Sequence, residues 1–348
     1  MGVLEEGSNE GSERFLSDLP SGIDQASWRA LLPLLEAFPG GFHAISDIVA
    51  RREAIRLWGE RAAIQTPAHV EVNSFFVDQD SGPTNVRLEV RRYESTRFES
   101  GEKKPALIFI HGGGMILGDL DLSSAICFKL ADAAPVAVFS LSYRKAPEDP
   151  YPSGLEDCLA SIRWIYDHAE ELDIDSENIG AYGPSAGGGL VLAVALRLRD
   201  SNEKILKYMM PIYPMIDDRC NTPAHSSRPI LGVWDSYANR QAWVWYLAGQ
   251  AADIYAAPAR ANDLSGLPAC YSDVGTFDLF YDDDVDFFTR LAQAGVPTEF
   301  HIFPGAFHGS ENLSPDSPLS KKIWETRISK LRKFIAKGAS DHEKNFNS

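Results

Sequence analysis

A chain of 348 residues with 44% hydrophobic and 11% aromatic residues has apolar surface enough for one large domain with an insertion, which excludes a disordered protein. Its 33 Lys and Arg against 49 Asp and Glu leave a formal net charge of −16, arguing against nucleic acid or an anionic membrane surface as the main partner. The four cysteines, Cys127, Cys158, Cys220 and Cys270, show no C-x-x-C or Cys/His ligand spacing and read as reduced, buried thiols.

Residues 1–20 are rich in Glu, Ser and Gly and are expected as a mobile arm. They carry no basic and apolar signal pattern, Glu6 stands where a myristoylation motif wants Ser or Thr, and no apolar run in the chain is long enough for a bilayer. A cytoplasmic protein without an integral membrane segment is the expectation. Over residues 21–66 apolar residues recur at helical spacing (Trp28, Leu31, Leu35, then Ile48, Ile55, Trp58), and Pro39-Gly40-Gly41 divides the run into two helices.

Strand-like alternation follows at 69–77 and 86–93 around Ser81-Gly82-Pro83, predicting an antiparallel hairpin at a sheet edge. Residues 106–110 and 136–141 are instead continuously apolar, as parallel strands covered on both faces are, and a helical pattern at 155–172 follows them. The middle of the chain is thus built of βαβ units. Next comes Asn178-Ile179-Gly180-Ala181-Tyr182-Gly183-Pro184-Ser185-Ala186-Gly187, leading into the apolar run 190–196: a strand, a very tight turn and a helix. Gly183-Pro184-Ser185-Ala186-Gly187 fits the G-x-S-x-G nucleophile elbow, in which flanking glycines let strand and helix approach while the serine hydroxyl stands exposed at a helix N-terminus. A serine serving only as N-cap would look the same, so its partners must decide.

After a strand at 208–213 the α/β rhythm stops over 215–259, where Trp234, Tyr237, Trp243, Trp245, Tyr246 and Tyr255 at helix-like spacing predict an inserted helical piece. It resumes with strands at 269–274 and 298–303, helices at 280–294 and 319–335, and a polar tail at 337–348. One α/β domain therefore covers 67–214 and 260–336.

Two further signals sit where such a domain needs them. His111-Gly112-Gly113-Gly114 directly follows the buried strand 106–110, matching an oxyanion loop, and His308 lies in a loop just past the last strand. For an order Ser, Asp, His the acid belongs after the preceding strand, where Asp278 stands 93 residues after Ser185 and 30 before His308. Asp273, Asp282, Asp283, Asp284 and Asp286 compete; Asp273 is inside the strand, and Asp282 to Asp284 fall in the first turn of a helix, where carboxylates are ordinary macrodipole partners. Asp278 is preferred.

On these residues the chain resembles the hormone-sensitive-lipase-like branch of the α/β-hydrolases, a group of carboxylesterases and lipases. The likeness covers roughly residues 69–336 and is carried by His111-Gly112-Gly113-Gly114 with Gly118, Tyr143-Arg144-Lys145-Ala146-Pro147-Glu148 with Tyr151-Pro152, Gly183 to Gly188, Asp278 with Asp282, and His308-Gly309. It implies an α/β-hydrolase fold: a mostly parallel central sheet of about eight strands, helices on both faces, and a helical cap made of residues 21–66 and 215–259. Pro184 stands where the family usually has Asp before the nucleophile, and Ser142 where Asp usually precedes Tyr-Arg.

The residue types give the expected chemistry. His308 takes the proton of Ser185 as general base, Asp278 orients the imidazole, and the N–H groups of Gly113, Gly114 and Ala186 receive the oxyanion. A serine esterase is expected, acting on a small-molecule ester with no metal or organic cofactor; the aromatic helical insertion, read as a lid over an apolar crevice, together with the family resemblance implies a preference for short to medium acyl chains, and a homodimer is left open. Lactone, amide or carbamate cleavage fits the same triad. A binding-only protein on this fold is the rival from another class. The G-x-G-x-x-G fingerprint of a dinucleotide enzyme fails, since Gly183 has no glycine two residues on.

Overall fold

The two continuously apolar runs lie at the middle of one eight-stranded sheet in the computed structural model, which describes residues 20–61, 65–80, 85–98, 103–227 and 233–346. The expected arm, apart from Pro20, and the Ser81-Gly82-Pro83 turn fall outside the described residues. The strands are β1 (Val70–Asp80), β2 (Asn85–Ser95), β3 (Lys104–Ile110), β4 (Ala137–Leu141), β5 (Ile174–Pro184), β6 (Leu206–Ile212), β7 (Ala269–Gly275) and β8 (Thr298–Phe303), in the order β1-β2-β4-β3-β5-β6-β7-β8. β1 and β2 form the expected antiparallel edge hairpin, β2 pairs antiparallel with β4, and every other pairing is parallel.

Burial on both faces follows from the period of two along each strand. In β3, Ala106, Ile108 and Ile110 join one core while Leu107 and Phe109 join the other; β4 divides Ala137, Phe139 and Leu141 from Val138 in the same way. The first core is closed by α4 (Ser153–Asp167), α5 (Ala186–Asp200) and α8 (Tyr281–Gln293), the second by α3 (Leu120–Ala133) and α10 (Pro318–Phe346). From Ala186 to Leu196 α5 is apolar all round, as a helix must be that is covered on every side. α10 runs on through Phe346, across residues expected as a polar tail; once nucleated, a helix gains one hydrogen bond per residue added and so propagates past Gly338 and polar residues without an apolar stripe.

The N-terminal helices α1 (Gln25–Ala37) and α2 (Ile48–Arg61) are separated as expected, with Gly40 and Gly41 at φ +83° and a 3-10 turn over Phe42–Ala44. Asp24 caps α1, its carboxylate accepting from Ser27 N and Oγ at 2.8 and 2.7 Å. The apolar stripe of α1, Trp28, Leu31 and Leu34, packs with Phe307 beside His308. The insertion holds α6 (Pro223–Ser227) and α7 (Ser236–Leu247), and α9 (Ser310–Leu313) is one turn beyond β8. Of its aromatics Trp234, Trp243 and Tyr246 are buried, whereas Tyr237 is 60% exposed. Tyr246 meets Tyr151 edge to face, and its carbonyl accepts from Tyr151 N at 2.8 Å, which ties α7 to the segment before α4.

That segment, residues 142–152, braces the loop after β3. Tyr143 Oη donates to His111 O at 2.9 Å and Ala146 N to Met115 O at 3.0 Å. Arg144 holds the segment in place by donating from its backbone N and its guanidinium to Asp157, a fully buried carboxylate on α4. Asp157→Ala strands a half-buried guanidinium and should lower the unfolding free energy by about 2 to 3 kcal/mol in a urea titration. A loss below about 0.5 kcal/mol would show that water replaces the carboxylate freely.

Candidate active site

Ser185 occupies φ +57°, ψ −123°, a strained conformation at the junction of β5 and α5. Its surroundings leave no alternative. A Cβ on Gly187 would lie 2.0 Å from Ile110 O, and one on Gly183 would lie 2.4 Å from Gly187 O, so only bare backbone lets strand and helix come this close. The turn is fastened by Ser185 N donating to Ile212 O at 2.8 Å and by Ser185 O accepting from Gly189 N and Met215 N, both at 3.0 Å.

The three residues spread over 123 positions of sequence meet here. Ser185 Oγ lies 3.0 Å from His308 Nε2, and His308 Nδ1 lies 2.9 and 3.2 Å from the two oxygens of Asp278. Asp278 is fully buried, and Phe280 N donates to it at 3.0 Å. Tyr213 and Phe280 meet the imidazole edge to face, with centroids 4.8 and 5.2 Å away, and restrict its rotation. The loops carrying acid and base are joined by Phe277 N donating to Ala306 O at 2.9 Å, and α1 adds Asp24 N to Gly305 O at 2.9 Å.

Across the turn, Gly113 and Gly114 adopt φ +116° and +63°. Gly113 O accepts from Ile116 N and Leu117 N, closing the loop. Among the described residues no hydrogen bond takes up the N–H groups of Gly113 and Gly114, and Ala186 N–H is an orphan donor at the first position of α5. His111, behind the loop, stacks on Tyr143 at 4.2 Å; burial drives its pKa down to about 3, so it is neutral and its Nδ1–H donates to Gly112 O at 2.8 Å. Trp234 from the insertion lies against Gly114, its ring 2.1 Å from where a Cβ would stand. The arrangement suits an acyl-transfer centre: a nucleophile hydrogen-bonded to a base, the base to an acid, and free donors facing the turn. No group of three or more His, Cys, Asp or Glu among the described residues is arranged to hold a metal ion. A cavity of about 1250 Å³ between Asn178, Leu206, Ala269 and Thr298 lies at the opposite ends of the strands and contains none of these groups.

The competing acids each have another partner or setting. Asp273 is paired with Arg327, and Asp286 with Arg290 at the surface. Asp282 accepts from Ala224 N at 2.7 Å, holding α6. Asp283 and Asp284 are in the first turn of α8 as expected, but they are no ordinary surface macrodipole partners: both are buried, Asp283 beside His225 of the insertion. Burial and neighbouring carboxylates raise both pKa values, that of Asp283 to about 8. Of the two departures from the family pattern, Ser142 extends the β2–β4 pairing, its N donating to Glu89 O and its Oγ accepting from Glu89 N. Pro184 ends β5 opposite Ile212, its carbonyl facing Gly112.

Sequence reasoning missed a polar group behind Trp234. Trp234 Nε1 donates to Asn239 Oδ1 at 3.2 Å, Asn239 Nδ2 lies 3.3 Å from His225 Nε2, and His225 Nε2 lies 3.8 Å from Asp283. No motif announces a group assembled from three separate stretches. Since the folded pKa of Asp283 exceeds the ordinary value, the folded state binds more protons between about pH 4 and pH 8 and loses stability as pH rises through that window. Asp283→Asn should therefore gain on the wild type by an amount on the order of a few kcal/mol from about pH 5 to about pH 8, read from chemical denaturation at both pH values. An unchanged difference would mean that Asp283 ionises normally.

A family model described as the alpha/beta hydrolase fold matches residues 107–312. Esterase LipI of Mycobacterium tuberculosis is 31% identical over 286 residues, covering 80% of this chain and 86% of that protein. Carboxylesterase NlhH of the same species is 28% identical over 308 residues, covering 87% and 94%. Among solved structures, a bacterial heroin esterase superposes with a TM-score of 0.81 at 29% identity, covering 90% of this chain and 98% of the other. Esterase LipW from Mycobacterium marinum does so with 0.77 at 32% identity, covering 83% and 90%.

Proposed function

We propose, for a chain that belongs to the hormone-sensitive-lipase-like branch of the α/β-hydrolase family and is a carboxylic ester hydrolase, that ester cleavage runs through an acyl-enzyme on Ser185. The observation that carries the reading is the unbroken line from Ser185 Oγ to His308 Nε2 and from His308 Nδ1 to Asp278. A serine hydroxyl is a weak nucleophile at its free pKa, so His308 takes its proton during attack and Asp278 stabilises the imidazolium that forms. The tetrahedral oxyanion is received by the N–H groups of Gly113, Gly114 and Ala186; each such donor is worth roughly 3 kcal/mol in the transition state. His308 returns the proton to the leaving alcohol and then activates the water that frees the acid.

α1, α2 and the insertion at 215–259 act as a cap, a reading supported by α1 packing at Phe307 and by Trp234 against Gly114. With an indole beside the oxyanion loop the acyl side of the site is short, which favours short to medium acyl chains.

Two outcomes test this. A fluorophosphonate should label Ser185, and Ser185→Ala should fold with an unchanged thermal midpoint while losing at least about a thousandfold in kcat/KM; labelling of another serine would overturn the assignment. With p-nitrophenyl esters, kcat/KM for butanoate or octanoate should exceed that for palmitate, and Trp234→Ala should raise the longer esters relative to butanoate. A wild-type preference for palmitate would contradict the role given to Trp234.

A further inference from the structure

Behind His308 lies a set of buried groups that the reaction itself does not use. Glu311, three residues after His308, is in the single turn of α9, and its Oε1 accepts from Arg327 Nη1 at 2.8 Å and from Tyr213 Oη at 2.7 Å. Arg327, from α10, also donates to both oxygens of Asp273 on β7 at 2.8 and 2.7 Å. Asp273, Glu311 and Arg327 are each at most 2% exposed. Burial works to raise the Glu311 carboxyl, and the charge and hydrogen bond of Arg327 override it, so Glu311 is held ionised. Tyr213 completes the circuit. Its backbone N donates to Asp273 O at 2.9 Å, its ring meets the His308 imidazole at 4.8 Å, and it directly follows Ile212, whose carbonyl fastens Ser185 N.

Stability alone does not explain this arrangement. A buried ion group recovers its desolvation only with good geometry, and apolar residues of similar volume hold a core at least as well. What ion pairs with fixed partners supply is position. Tyr213 also bears φ +33°, a conformation that costs free energy in a residue with a side chain and persists only where its surroundings enforce it. That strain falls on the residue touching both the imidazole and the circuit.

We propose that Arg327, Glu311 and Tyr213 are positioning residues for His308: Arg327 anchors Glu311 to the sheet through Asp273, Glu311 fixes the far end of the His308 loop, and the Tyr213 hydroxyl locks the ring that sets the imidazole plane. This deepens the triad reading and rests on it. The device acts on the step in which the base must meet Ser185 Oγ, so its loss lowers kcat and leaves ground-state ester binding alone.

The test uses the full chain with Tyr213→Phe, Glu311→Gln and the double variant, with kcat expressed per site titrated by fluorophosphonate. Tyr213→Phe keeps the ring and its packing and removes only the hydroxyl, so it folds even where Glu311→Gln does not. Each variant is expected to lose about tenfold or more in kcat and in the fluorophosphonate inactivation rate together, with KM for p-nitrophenyl butanoate within about twofold. The double variant should lose no more than the larger single loss, because the two groups act in series. Single variants with wild-type kcat per titrated site and a lowered thermal midpoint would show that the circuit only joins helix to sheet, and multiplying losses would show that the groups act separately. A wild-type protein that the fluorophosphonate leaves unlabelled at Ser185 would overturn the triad reading and this proposal with it.

Discussion

Everything around the site depends on one contact between bare backbones, where the turn after β5 passes under the end of β3. Gly187 lies so near Ile110 O that a single methyl group would overlap it, and a methyl group on Gly183 would overlap the carbonyl of Gly187 as well. That closeness brings the start of α5 against the sheet and forces Ser185 into a conformation that its side chain disfavours. It also sets the distance between Ala186 N–H and the glycines after β3, because both are referred to the same strand ends. A wider turn would leave the serine lying along α5 as an ordinary cap.

Electrostatics impose the second constraint. Asp273, Asp278, Asp283 and Asp284 are all buried within a stretch of twelve residues, and so many like charges cannot coexist in a medium of low dielectric constant. The fold resolves this by giving each a different fate. Asp273 meets Arg327, Asp278 meets His308, and Asp283 and Asp284 have pKa values raised by burial. Asp278 is thereby left as the carboxylate in direct hydrogen-bond contact with His308.

The parts outside the sheet are fastened to the same loops. α1 grips the segment before His308 through Gly305 and Phe307, α6 is held by Asp282 just beyond Asp278, and Trp234 lies on Gly114. α1 and Trp234 therefore touch the loops of His308 and Gly114, and α6 touches the helix that follows Asp278. Among the described residues no helix is long and apolar enough to cross a membrane.

Whatever depends on local pattern is legible along the chain. Continuous apolar runs against alternating ones separated the inner strands from the edge hairpin, and glycine spacing located the turn at Ser185 and the loop at His111, because only glycine satisfies those backbone approaches. The chain order of Ser185, Asp278 and His308 was legible too, since each follows a recognisable strand. Only packing in three dimensions shows which aspartates are buried, that Trp234 rather than its neighbours reaches the loop after β3, and that Glu311, Arg327 and Tyr213 form one circuit. Those facts arise from contacts between segments up to 120 residues apart, as Gly114 and Trp234 are, where no periodicity or motif spacing carries the information. Burial, and with it the charge state of a carboxyl group, is a property of what the rest of the chain folds over it.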